Sequence, residues 1–211
     1  MRLFSKHPKT RSEILADADR ARSRGNARKA AAAYQAALKS DPTDPSVNVK
    51  LGPLLAKLGD PEGGARCFRV AAKRHLDAGF VDRAAGVTLT ATGVFPLDPS
   101  FRLELARLNV LRGRKQDAVA TLLDGGRAQA KAKRPDLAAS LLGKALEIEP
   151  WHLEACLALV PVLARNGHPE SAGEFLAGLE KRYHGPSRRR VRWVAFRLAP
   201  GPRTFWRWIR A

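Results

Sequence analysis

Cysteine is scarce in this 211-residue chain, and the two present, Cys67 and Cys156, stand too far apart to make a disulfide framework or a metal-ligand spacing. They read as small buried core residues. The five histidines, His7, His75, His152, His168 and His184, fall in five different segments, none with a second His or Cys three or four residues away, so no metal site is expected. No glycine-rich phosphate loop, nucleophile elbow or Cys and His pairing appears, and Glu147, Glu149 and Glu154 flank the Pro150 turn as solvated helix ends. The expectation is a non-catalytic protein without a cofactor. Long apolar runs are missing as well. The longest, Cys156 to Ala164, is too short to span a bilayer, and the first thirty residues hold no stretch of signal-peptide length, which predicts a soluble, cytoplasmic protein.

Acid is the third scarcity. Thirty-eight Lys and Arg stand against 20 Asp and Glu, a formal net charge of +18, and after Glu180 there is no acidic residue at all. The last 27 residues carry eight arginines. Such an imbalance points to polyanionic partners: nucleic acid, an acidic lipid surface or acidic proteins.

What is abundant is repetition. Pro42, Pro96 and Pro150 lie 54 residues apart, as do Gly59, Gly113 and Gly167, and again Ala30, Ala84 and Ala138. Phe68, Leu122 and Leu176 keep the same step, Leu51, Leu105 and Leu159 keep it too, and Asp44-Pro45-Ser46 returns as Asp98-Pro99-Ser100. Within the unit, 34-residue steps (Gly25 to Gly59, Gly79 to Gly113, Lys133 to Gly167) alternate with a 20-residue step from Gly59 to Gly79. The longer step holds two helices of about fourteen residues and the shorter one a single helix, so the spacing predicts three helices per 54-residue unit. Pro61, Pro135 and Pro169 mark first helical turns, and Gly25, Gly59, Gly79, Gly113 and Gly167 mark helix ends. The predicted helices run near 11–23, 26–40, 46–58, 61–78, 81–95, 101–112, 115–131, 135–148, 152–166 and 169–183. Pro53 and Pro161 fall inside two of them, and no stretch reads as a strand.

These residues carry a family resemblance. Gly25-Asn26-Ala27-Arg28-Lys29-Ala30, followed by Tyr34, Ala37, Leu38 and Asp41-Pro42, looks like the second helix of a tetratricopeptide repeat. Leu51-Gly52 with Leu55 and Gly59 resembles the matching first helix, and Ala138, Leu142, Ala145 to Pro150, Leu159, Gly167 and Ala172 repeat the match. The resemblance covers roughly residues 11–183 and implies an all-α, antiparallel helical solenoid with a concave groove for peptides or partner domains. The 20-residue step departs from the family by removing a helix from every second repeat. The expected organisation is a basic arm over 1–10, a repeat domain over 11–184 and an Arg/Trp-rich tail or cap over 185–211.

The same resemblance puts Lys50, Lys57, Glu104, Arg107 and Arg165 on the concave face with Val49, Leu103 and Leu157. A mixed basic and apolar groove suits an acidic or C-terminal peptide of a protein partner. The first helix carries Leu15 and Asp19 where chaperone-binding members of the family carry Lys and Asn, so chaperone C-termini are not the expected ligand.

In the tail, Gly185-Pro186 is expected to break the last repeat helix, and Arg188 to Leu198 to form a short helix stopped by Pro200-Gly201-Pro202. The contact candidates are Arg188, Arg189, Arg190, Arg192, Trp193, Arg197, Trp206, Arg207, Trp208 and Arg210. Three uses fit them: a terminal cap in which Trp193, Phe196 and Leu198 cover the end of the repeats, an anionic membrane surface at the inner face of the membrane, or nucleic acid. The function expected from the whole chain is a protein–protein interaction scaffold; the alternative is a repeat protein binding nucleic acid or anionic membrane through this tail.

Overall fold

The computed structural model of the protein describes residues 9–209, and every regular element among them is a helix. The chain divides into two compact units, Met1–Phe95 and Pro96–Ala211. The first holds α1 (Arg11–Ser23), α2 (Ala27–Leu38), α3 (Pro45–Lys57), α4 (Pro61–Asp77) and α5 (Val81–Val94). The second holds α6 (Pro99–Leu111), α7 (Lys115–Lys131), α8 (Pro135–Ile148), α9 (Leu153–Arg165), α10 (Pro169–Arg182), α11 (Gly185–Leu198) and α12 (Pro202–Ile209). Residues 1–8 of the basic arm, and Arg210, lie outside the described residues.

Helix starts are set by capping side chains. Thr10 and Glu13 form a reciprocal capping box at α1, and Asp44 and Asp98 accept the Ser46 and Ser100 amides at 2.8 and 2.9 Å, so the repeated Asp-Pro-Ser is one cap used twice. The corresponding position before α9 is His152, whose Nδ1 accepts the Ala155 amide at 3.3 Å. Pro61, Pro135 and Pro169 sit in first turns, and Pro53 and Pro161 lie inside α3 and α9. Helix ends share a second device. At Gly59 the backbone swings to φ 91°, letting the Asp60 amide reach back to the Leu55 carbonyl at 2.9 Å. Lys133 takes the same role at φ 59°, with the Arg134 amide on the Gln129 carbonyl at 3.0 Å, in a conformation that costs a residue bearing a Cβ about 1 kcal/mol or more.

Within each unit, successive helices joined by these short turns fold back on one another as antiparallel hairpins. In the first unit, Ala18, Ala21, Ala30, Ala31, Tyr34, Val47 and Leu51 form the core, and α3 crosses α4 so closely that a Cβ on Gly64 would stand 2.6 Å from the Gly52 carbonyl oxygen. In the second, one cluster gathers Val119, Leu122, Leu141 and Leu142, and another gathers Cys156, Val160, Leu176, Leu179 and Val191. The alanine series Ala30, Ala84 and Ala138 is completely buried, as its packing role requires.

The tail differs from its expectation in detail. α11 begins at Gly185, with Pro186 in its first turn, so the Gly-Pro pair starts a helix as well as ending one. Val191, Val194, Ala195 and Leu198, spaced along one face, pack on the second cluster; Trp193 and Phe196, expected among the covering residues, turn toward α12 instead. Pro200-Gly201-Pro202 is a turn into α12, where Thr204 Oγ1 accepts the Gly201 amide at 3.1 Å and donates to the Ala199 carbonyl at 2.8 Å.

Candidate binding groove

In the second unit α7 touches α9 and α9 touches α11, so these three alternate helices share a face. On α9 the residues Glu154, Leu157, Ala158, Pro161, Val162 and Arg165 recur at helical spacing and line that face. With Leu142 of α8, Trp193 and Val194 of α11 and Trp208 of α12 they line an open cavity of about 720 Å³. Arg127, Arg165, Arg189 and Arg190 stand around it.

The charge of this rim is unbalanced. Glu154, its one carboxylate, lies 2.6 Å from Arg190 and 3.3 Å from Arg127, and the Arg190 guanidinium, helped by Arg127, holds its carboxyl below the usual range. Arg165 has no carboxylate within ion-pair distance among the described residues. Arg189 likewise lacks one and lies over the Trp208 ring, 5.7 Å from its centroid.

Beside the cavity the tail aromatics stack on each other. Trp208 lies 4.7 Å from Trp193 and 6.2 Å from Phe196, and Phe205 lies 5.8 Å from Phe196. Arg207 pairs with Glu180, and Arg192 donates to the Arg207 carbonyl at 2.8 Å, which fastens α12 to α10 and α11. Arg188, Arg197 and Arg203 have no carboxylate within ion-pair distance among the described residues, and Arg188 Nε is buried without a hydrogen-bond partner. Trp206, edge-on to Phe205 at 6.2 Å, and Ile209 are both exposed.

Of the four cations expected in the groove, Arg165 alone borders this cavity. Lys50 and Lys57 belong to the first unit, where Lys50 Nζ sits 3.0 Å from both oxygens of Asp19 and Lys57 is exposed. Arg107 is held by its neighbour Glu104 at 2.7 Å. Leu157 does line the cavity, together with Arg189, Arg190, Trp193 and Trp208 from the tail list. Glu154 is not the freely solvated helix end that its sequence position suggested, because α7 and α11 each bring an arginine over the first turn of α9. No local signal points to Arg127, whose partner lies 27 residues away.

Burial pushes the Cys156 thiol up to about 11 and raises that of Cys67, which keeps both protonated at neutral pH. Among the described residues no group of three or more His, Cys, Asp or Glu could hold a metal ion, and no helix is long and apolar enough to cross a membrane.

A family model described as Tetratricopeptide repeat matches residues 15–74 and 49–125, and a second of the same description matches residues 129–190. Among solved structures, the chain is similar to BtubC (BKLC) from P. vanneervenii, at 18% identity over 83% of this chain and 83% of that one, with a TM-score of 0.38. It is similar to MamA protein at 17% identity, covering 83% of this chain and 96% of that one with a TM-score of 0.29. It is also similar to a tetratricopeptide repeat protein from Parabacteroides merdae at 10% identity, covering 89% and 85% with a TM-score of 0.32. No curated protein matches.

Proposed function

The chain belongs to the tetratricopeptide repeat family, and from that premise we propose that it is a non-catalytic protein-interaction scaffold whose binding surface is the cavity between α7, α9 and α11. The observation that carries this reading is an open apolar cavity with two arginines on its rim, Arg165 and Arg189, that no carboxylate of the described chain neutralises. The occupant is a segment of a partner protein that lays apolar side chains on Leu157, Pro161 and Val162 and directs carboxylates to those arginines. Burying one Leu-sized side chain contributes about 1.5–3 kcal/mol, whereas an exposed ion pair contributes about 0.2–1 kcal/mol. The apolar contacts therefore set affinity, and the arginines set selectivity and association rate.

A fluorescein-labelled helical peptide with Leu on one face and Glu on the other, compared with its Lys counterpart, tests this by fluorescence anisotropy. The Glu peptide should bind and the Lys peptide should not. Leu157→Asp should abolish binding, and Arg165→Glu should weaken it roughly tenfold, about 1.4 kcal/mol, with the helical circular dichroism retained in both. Equal binding of the two peptides, or binding indifferent to Leu157→Asp, would overturn the assignment.

A further inference from the structure

α12 carries apolar side chains on two sides. Phe205 and Trp208 make ring contacts to Phe196 and Trp193 of α11, and Trp206 lies edge-on to Phe205 with ring centroids 6.2 Å apart. Trp206 and Ile209, three residues apart and so on one face, leave 55% and 46% of their surface in solvent. A single exposed apolar residue is ordinary on a protein surface. Here two of them share the face of a short helix fastened by Arg192 and Arg207, in a segment of the chain that contains no acid after Glu180. Arg203 precedes them by one turn, and Arg197 lies beside Phe196 on α11, both exposed and both lacking a carboxylate partner among the described residues.

We propose that the outer face of α12, with Arg203 on it and Arg197 in the last turn of α11, docks on a bilayer surface bearing anionic lipid. Indole and aliphatic side chains settle at headgroup level while guanidinium groups meet lipid phosphate, and the two contributions add. Nucleic acid fits this surface less well. Trp206 is the one ring on this face, its neighbour Ile209 gives a base nothing to stack on, and Trp193, Phe196 and Trp208 lie against one another at 4.7–6.2 Å. The surface is separate from the groove, since Arg197, Arg203 and Trp206 do not line it.

The test is co-sedimentation of the full chain with vesicles of phosphatidylglycerol mixed with phosphatidylcholine, with phosphatidylcholine vesicles alone as the reference. The wild type should sediment with the anionic vesicles only, with a blue shift of tryptophan emission. Arg203→Ala and Arg197→Ala should each weaken binding about fivefold, and Trp206→Ser roughly tenfold with less residual binding at high salt. Circular dichroism and binding of the Glu peptide in the groove should stay as in wild type. The proposal is overturned by sedimentation that ignores phosphatidylglycerol, by Trp206→Ser binding vesicles as the wild type does, or by oligouridine or duplex DNA being bound more tightly than the vesicles in an Arg203-dependent way.

Discussion

The two units follow one helical plan and close it with different chemistry. In Met1–Phe95, alanines pave the contact between α1 and α2, and a polar tie crosses three helices: the Tyr34 hydroxyl donates to Asp19 at 2.5 Å, and Lys50 of α3 holds the same carboxylate. In Pro96–Ala211, alanine shares the core with leucine and valine in two separate clusters, and the open cavity borders both. The repeat sets where helices lie; in the second unit the side chains of α7, α9 and α11 set the lining of the cavity.

Truncating the aliphatic unit should have the largest effect. Leu142 is completely buried, and Leu142→Ala removes its contacts and opens a void, a loss of about 2–5 kcal/mol in urea unfolding. A loss below about 1 kcal/mol would show that the second unit collapses into the gap. The polar tie of the first unit should be weaker. Tyr34→Phe removes one hydrogen bond and should cost about 0.5–1.5 kcal/mol. Burial, and then the Asp19 carboxylate, push the Tyr34 hydroxyl up to about 12, so it remains a donor throughout the neutral range. The same hydrogen bond, with Lys50, holds the Asp19 carboxyl below its ordinary value. A carboxyl depressed in the folded state stabilises above its unfolded pKa of about 3.9 and loses that contribution as pH falls through its folded pKa. The stability gap between wild type and Tyr34→Phe should therefore narrow in acid, below about pH 4; a gap that widens there would contradict the tie. The smallest effect is a gain. Lys133→Gly relieves a left-handed backbone worth about 1 kcal/mol and gives back about half of it in chain entropy, leaving a net stabilisation on the order of 0.5 kcal/mol, read as a small rise in melting temperature.

Helix boundaries were legible because their signals are local. Pro in a first turn, Asp before Pro-Ser, and a residue that must enter positive φ each act within a few positions, and Lys133 could be placed in the glycine series by spacing alone. α12 was not legible, since Pro200-Gly201-Pro202 reads as a stop, and only the hydroxyl of Thr204 and the inward stacking of Phe205 and Trp208 make that turn the start of another helix. The candidate site split along the same line. Arg107 could be matched to Glu104 three residues earlier by helical spacing, but the pairing of Lys50 with Asp19 and the grip of Arg127 and Arg190 on Glu154 arise from helices that meet only after folding. Arginine-rich sequence shows how much charge is present. It does not show which of it stays unmatched.

Trp208 belongs at once to the aromatic stack of α11 and α12 and to the wall of the cavity. The two proposed surfaces are separate, but Trp208 on α12 lies between them, and two ligands that favoured different positions of that one side chain would be linked in free energy. Whatever factor the membrane imposes on peptide affinity, the peptide must impose on membrane affinity, so vesicle binding measured with and without the Glu peptide reports the coupling from either direction. Were both proposed ligands to bind, this one indole would join membrane attachment and peptide choice in a single equilibrium.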